Sequence, residues 1–290
     1  MSTQQDTGKF RTNNKDQYYT KSSVAQKCVS AIYKHINAPD TYQWVEPAAG
    51  NGAFLHLLPA HFDKLGIDID PKAPDIQQGD FLQWAPKETV DKDKDKPRIF
   101  FGNPPFGRQS SIAKAFIKHA APHADVIAFI LPRSFVKPSM SRAFPLCFHC
   151  VYSEDIEKKA FEVNQAEYDV PCIFQIWQKK AVERTIAEPI TESGFAYVKP
   201  DQTFHIVCKR VGGLAGKCYP NTPTALLDYS PSYHYFLQLE APYIPYIDDI
   251  IKKINLHVFP SNTVGPRSLS KSEVNEVMNE VIRDVIMSSS

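Results

Sequence analysis

The stretch Tyr42-Gln-Trp-Val-Glu-Pro-Ala-Ala-Gly-Asn-Gly-Ala-Phe-Leu-His-Leu-Leu58 decides the fold. Tyr42 to Val45 reads as a short strand, and Gly50 and Gly52, one residue apart, form a turn. Ala53 to Leu58 starts a helix that Pro59 cuts short. A strand running through a glycine turn into a helix is the repeating unit of an open α/β sheet. Such glycines let the backbone approach a ligand closely and expose amides at the start of the next helix. The dinucleotide-binding version places a third glycine three positions after the second. Leu55 stands there instead, which counts against NAD.

The same alternation continues on both sides. Upstream, Val24, Cys28, Ile32 and Ile36 recur at spacing four and predict a helix from Ser22, ended by Asn37-Ala-Pro-Asp40. Downstream, Lys64–Ile69, Ile76–Phe81, Arg98–Phe101 and Asp125–Leu131 read as strands, the last apolar on both faces as a central parallel strand must be. Residues 110–121 have helical spacing, and Cys147–Tyr152 and Val170–Gln178 supply two more strands. The expected architecture is α/β, an open and mostly parallel sheet over residues 18–180. Residues 1–17 read as a polar arm. Residues 181–290 read as a small α+β appendage with strands at Phe195–Val198 and Thr203–Cys208 and a closing helix N-capped by Ser270.

Of 290 residues, 43% are apolar and 22% charged, enough to bury a sizeable core and to exclude collagen, a coiled coil or a disordered tail. A net charge of +1 excludes a polybasic binder but not a local basic groove. The polar N-terminus lacks the apolar core of a signal peptide, and no apolar run approaches the ~20 residues of a membrane span. The expectation is an intracellular protein with no membrane association and reduced thiols. Cys147 and Cys150 form a lone C-x-x-C with no further ligand pair, so no metal site is expected, and the thiols read as buried beside a strand. The alternating charges of Asp91–Lys96 read as a solvated loop.

The polar clusters fall at the carboxyl ends of strands, where open α/β sheets bind ligands. After Glu46–Gly52 comes Asp68, placed to grip two ribose hydroxyls, and then Asp80-Phe81, an acceptor for an exocyclic amine beside an aromatic face. Asn103-Pro104-Pro105-Phe106 leaves an apolar strand into a turn stripped of two N–H donors. The Asn103 oxygen and a proline carbonyl can then both accept from one planar NH2 group, while Phe106 stacks on its ring.

In combination these motifs resemble the class I S-adenosylmethionine-dependent amino-methyltransferases, and among them the gamma-class arrangement of N6-adenine methyltransferases. The resemblance covers residues 18–180 and implies a Rossmann-like seven-stranded methyltransferase sheet with S-adenosyl-L-methionine as cofactor. It implies that Thr20, in Tyr18-Tyr-Thr-Lys21, anchors the methionine carboxylate. Glu46, Pro47, Gly50, Asn51 and Gly52 would face the methionine part, Asp68 the ribose, and Asp80 and Phe81 the adenine. Asn103, Pro104, Pro105 and Phe106 match the catalytic motif, and Phe161 sits where a second aromatic lines the target base. The catalytic aromatic is Phe where many DNA members carry Tyr or Trp, and Phe also occurs in RNA-acting relatives, so DNA and RNA both stay open.

Local charge bears on the partner. Residues 101–142 hold six cations, among them Arg108 and Arg133, against the single acid Asp125, a local +5. Residues 199–217 carry a local +3. These predict a phosphate-tracking groove for a nucleic-acid substrate, with Arg108 and Arg133 as substrate contacts and Lys209-Arg210 in a recognition element. Surface positions are expected for His119 and His123. The rival readings are a protein glutamine N5-methyltransferase, whose acceptor is also a planar NH2, and a cofactor-binding scaffold without activity. Oligomeric state is not legible.

Overall fold

The computed structural model describes residues 18–86, 96–163, 166–186, 188–221, 229–260 and 266–289. The polar arm and most of the charged loop after Pro86 lie outside the described residues. The chain forms two compact units that meet in sequence after Ile186.

The first unit opens with β1 (Tyr19–Thr20) and α1 (Ser22–His35), whose Val24, Cys28 and Ile32, with the capping Ile36, are all buried. Then follow β2 (Gln43–Pro47), β3 (Lys64–Asp68), β4 (Gln77–Gln78), β5 (Arg98–Gly102), α2 (Ser111–Ala120), β6 (Val126–Pro132) and the single turn α3 (Pro138–Ser141). β7 (Phe148–Asp155), the hairpin strands β8 (Phe161–Val163) and β9 (Ala166–Tyr168), and β10 (Cys172–Lys179) complete it. Seven strands form one sheet in the order β4-β3-β2-β5-β6-β10-β7. β4 to β6 pair in parallel, while β10 runs antiparallel to both β6 and β7. Numbered by appearance in the sheet, the order is 3-2-1-4-5-7-6. Its first five strands are doubly wound, with the switch point between β2 and β5. This is the seven-stranded Rossmann-like methyltransferase sheet that the sequence predicts.

The central strands carry no solvent-facing side: Ile99, Phe100 and Phe101 of β5 and Val126 to Leu131 of β6 are fully buried. Parallel strands covered on both faces read as unbroken apolar runs. Beside them Phe144 stacks on Trp177 with ring centroids 4.1 Å apart.

The expected helix over 53–58 shrinks to one 3-10 turn, Leu55–Leu57. Leu58, preceding Pro59, is held extended at φ −80°, ψ 142°, because a residue before proline avoids the helical region. The third strand is only Gln77–Gln78. Cys147 is half-buried and Cys150 exposed, so the C-x-x-C is not the buried pair expected. His119 is no surface group either: its Nε2 lies 2.6 Å from the Trp84 carbonyl and its ring packs 4.9 Å from Phe81.

The second unit is an antiparallel sheet of β11 (Phe195–Val198), β12 (Ile206–Lys209), β13 (Cys218–Pro220) and β14 (His234–Leu239), ordered β11-β14-β12-β13. Two helices join its core, α4 (Ile247–Leu256) and α5 (Lys271–Ser289), the latter through Val274, Met278 and Ile282. Arg210 lies over the Tyr235 ring at 4.9 Å, and Ser268 pairs with Val211 in a β-bridge, so both serve the packing of this unit. Ser270 and Glu273 form a reciprocal capping box: the Glu273 N–H donates to Ser270 Oγ, and the Ser270 N–H donates to Glu273 Oε2. Ser270→Ala is expected to destabilise the protein by about 1 kcal/mol, read as a lowered urea midpoint.

Candidate active site

The carboxyl ends of β2, β3 and β5 open onto a cleft of about 490 Å³, within the range of small-molecule sites. β2 delivers Glu46, and the turn after it contributes Gly50 and Asn51; β3 delivers Asp68 and Ile69. Asp80 and Phe81 follow β4, and Asn103 follows β5. Thr20 of β1 reaches the same cleft.

Glu46 is almost fully buried, and its Oε2 accepts the Leu55 N–H at 2.8 Å. Burial pushes its carboxyl well above the usual carboxylate range. A Cβ on Gly102 would lie 3.1 Å from Glu46 Cγ, and Gly102 has φ +119°, so only glycine leaves room for this carboxylate. Asp68 braces the turns on either side of it: Oδ2 accepts the Gly50 N–H at 2.7 Å and Oδ1 the Asp70 N–H at 2.8 Å. Asp80 accepts the Leu82 N–H at 2.9 Å, holding the turn that carries Phe81.

The lining of the cleft includes four carboxylates, Glu46, Asp68, Asp70 and Asp80, and no Lys, Arg or His among the described residues. Asp70 pairs with Lys72 at 2.8 Å. Such a cleft repels phosphates and suits a ligand carrying positive charge and hydroxyl donors. Two apolar side chains on its wall, Ile69 and Leu82, are 68% and 38% exposed, a pair of surfaces for a flat ring. Phe81, expected to stack on that ring, is instead only 2% exposed and packs against Phe116 at 5.1 Å. It backs the wall rather than presenting its face. The sequence reading passed over Ile69 and Leu82. Their signal was an apolar residue within two positions of each strand-end acid, Ile69 directly after Asp68 and Leu82 two after Asp80.

Asn103 is held at one end only. Its Nδ2 donates to the Tyr18 carbonyl at 3.3 Å and to Thr20 Oγ1 at 3.2 Å. That carbonyl can only accept, which fixes the amide orientation. Its Oδ1 is buried without a hydrogen-bond partner. Thr20, expected to anchor a carboxylate, therefore also positions Asn103. Beyond Asn103 a second cavity of only about 10 Å³ lies among Tyr18, Pro104, Pro105, Phe106, Phe161 and Val170. Tyr18 borders both spaces, its ring edge-on to Phe161 at 6.3 Å and to Tyr168 at 5.8 Å.

One cleft thus gathers Thr20, Glu46, Gly50, Asn51, Asp68, Asp80, Phe81, Asn103 and Pro105, and the adjoining cavity gathers Pro104, Phe106 and Phe161. Pro47, Gly52, Arg108 and Arg133 line neither. Pro47 is buried in β2, Arg108 is exposed, and Arg133 is bound to Asp155 at 2.9 Å. Among the described residues no group of three His, Cys, Asp or Glu is arranged to hold a metal ion, and no helix is long and apolar enough to cross a membrane.

No family model matches the chain. An uncharacterised protein of Methanocaldococcus jannaschii is 30% identical over 124 residues, 41% of this chain and 50% of that protein. The match thus spans about half the length of that relative. Among solved structures, a Pyrococcus horikoshii protein provisionally assigned as an RNA methyltransferase is similar at a TM-score of 0.43 and 16% identity, over 58% of this chain and 91% of that one. A methyltransferase dependent on S-adenosylmethionine from Anabaena variabilis is similar at 0.37 and 11% identity, over 57% and 89%. The magnesium protoporphyrin IX methyltransferase of Synechocystis, with S-adenosylmethionine bound, is similar at 0.35 and 12%, over 53% and 79%. The fold reading rests on strand order, not on these distant likenesses.

Proposed function

We propose that the chain is an S-adenosylmethionine-dependent methyltransferase acting on the N6 amine of adenine in DNA or RNA. The observation that carries this reading is the buried, unpartnered Asn103 Oδ1. A buried acceptor left empty is costly by ~1–3 kcal/mol, so the atom is placed for a donor that arrives with a ligand. An exocyclic NH2 is such a donor, and the adjacent Pro104 carbonyl takes its second N–H.

The cofactor fits the cleft on charge. Glu46, Asp68 and Asp80 face it with no cation among them, which suits a ligand of net positive charge and no phosphate. Asp68 would accept the ribose hydroxyls and Asp80 the adenine amine, and Ile69 and Leu82 would offer apolar surface to that ring. A cationic methionine end beside Glu46 would favour the charged carboxylate that burial alone disfavours. When bound, the cofactor supplies a methyl group activated by its sulfonium.

The chain's own contribution at the acceptor is positioning. Asn103 Oδ1 and the Pro104 carbonyl hold the amine by both protons and turn its lone pair out of conjugation. Phe106 and Phe161 flank the ring, a contact worth ~1–3 kcal/mol for a stacked base. Formation of the N–C bond would break the methyl–sulfur bond of the sulfonium, leaving a neutral thioether, and the surplus proton on the amine would go to water. The base reaches this pocket unpaired or flipped out of its helix, and a cavity of about 10 Å³ admits it only if Tyr18 swings aside.

Incubation with methyl-labelled cofactor and separate DNA, RNA and protein pools, followed by digestion, tests the proposal. Label in N6-methyladenine is expected. Label on glutamine would replace this reading with the protein-directed one, and no label in any pool would reduce the chain to a binding scaffold.

A further inference from the structure

A second surface feature lies away from the cleft. An open groove of about 680 Å³ runs beside α2, lined by Lys114, Lys118, Arg142 and Lys179 and by no carboxylate. All four cations are exposed, and among the described residues none is engaged in an ion pair. Its floor is apolar, with Pro122, Pro145 and the buried Phe148. Elsewhere on this unit several basic side chains are matched with acids, Lys21 with Glu167, Lys72 with Asp70, Lys96 with Asp63 and Arg133 with Asp155, while unmatched ones such as Lys34 and Lys158 do not line this groove. Four unmatched cations converging on one groove repel each other, and only an anion relieves this.

Resting on the nucleic-acid reading of the cleft, we infer that this groove is a second binding surface that tracks the phosphate backbone of the same strand. Its line of approach fits. Lys114 and Lys118 are four residues apart and so share one face of α2. α2 begins at Ser111, with four residues between it and the Asn103–Phe106 turn, and the Ile112 N–H donates back to the Phe106 carbonyl. Lys118 stands about 10 Å down the helix axis from its first residue, at a rise of about 1.5 Å per residue. A strand leaving the target pocket can therefore follow α2 into the groove. A lipid surface is a poorer match, because the groove is concave and its lining offers no exposed large apolar side chain to insert into a bilayer.

The groove reads charge, not bases, so it contributes affinity and position without sequence preference. Of the six cations of residues 101–142, it uses Lys114, Lys118 and Arg142, and it adds Lys179 from the far end of β10. Arg108 and Arg133, the two expected to meet the substrate, take no part.

The experiment measures binding of a fluorescent single-stranded 20-mer to the full chain by anisotropy, between 50 and 300 mM salt. Three proteins are compared: the wild type, K114A/K118A/R142A, and a charge-matched control, K34A/K158A/K252A, altered at three lysines outside the groove. Each neutralised phosphate contributes a log–log slope of about −0.7 on a single strand. The groove variant is expected to bind at least tenfold more weakly at 150 mM, with a slope shallower by about 2, while the control stays within twofold of wild type. The altered positions are exposed, and circular dichroism checks that both variants fold; K114A/K118A alone, expected to lose more than half of the slope change, serves if the triple variant does not.

Equal affinity and slope in wild type and groove variant overturn the groove, whether or not the wild type methylates the oligonucleotide. Methylation with no groove dependence leaves the proposed activity standing, and groove-dependent binding without methylation overturns only the activity. Failure of the wild type to bind any oligonucleotide, or groove-dependent capture by vesicles of anionic lipid instead, also overturns the inference.

Discussion

Asn103→Ala is expected to lower methyl transfer by about 10²–10³-fold while S-adenosylmethionine binds as before. Removing one preorganised hydrogen-bonding group from a reacting centre has an effect of that order. Asn103 Oδ1 is buried and unpartnered, so its loss leaves no internal bond broken on that side. The Nδ2 contacts to Tyr18 and Thr20 orient the side chain and do not touch the cofactor wall formed by Asp68 and Asp80. Labelled transfer measured beside calorimetric cofactor binding separates the two effects. Turnover within tenfold of wild type would remove Asn103 from the chemistry. Thr20→Val takes away only one orienting acceptor, about 1 kcal/mol, and should slow transfer by up to tenfold.

Asp68→Ala is expected to weaken cofactor binding by about 10²-fold. Hydrogen bonds to a charged group contribute ~1.5–3 kcal/mol, and a hundredfold change corresponds to about 2.7 kcal/mol. Asp68 does two jobs. On the proposed function its carboxylate takes the ribose hydroxyls, and it ties down the amides of Gly50 and Asp70, so alanine also loosens both turns of the cleft. Asp68→Asn should rescue little, because its NH2 would face one of those N–H donors. Calorimetry gives the dissociation constant, and thermal denaturation shows whether the fold persists. An unchanged constant in a folded Asp68→Ala protein would be incompatible with this site.

Much of this arrangement is written in the chain. β2, β3, β5 and β6 are apolar runs ending in polar turns, and that pattern alone orders the acids along one edge of the sheet. Asn103-Pro-Pro-Phe106 announces an acceptor-rich turn because prolines carry no N–H. Other parts depend on partners remote in sequence. β1, β8 and β9 are two or three residues long and show no alternation, so the sheet β1-β8-β9 emerges only when Tyr19 meets Glu162 and Thr20 meets Phe161. α4 has no place in the sequence pattern read above, although Ile250 and Ile254 mark its buried face, and the prolines at 242 and 245 obscure where it begins. The burial of Phe81 is not legible in the sequence, because an aromatic at a strand end reads alike whether its face meets ligand or core. Charge counting found the excess of cations, but not which of them Asp155 would claim.

The two residues of β1 have a kinetic meaning. Tyr18, just before them, borders both the cofactor cleft and the acceptor cavity, and its carbonyl together with Thr20 steadies Asn103. On the proposed function a base fits the small cavity only when its lining gives way, and Tyr18 is the aromatic of that lining that also borders the cleft. Occupancy of either space thus changes the free energy of filling the other, by the same factor in both directions. On the proposed function, cofactor and target strand are expected to be coupled ligands: saturation with one should shift the apparent affinity for the other, and steady-state rates at varied concentrations of both check that interdependence.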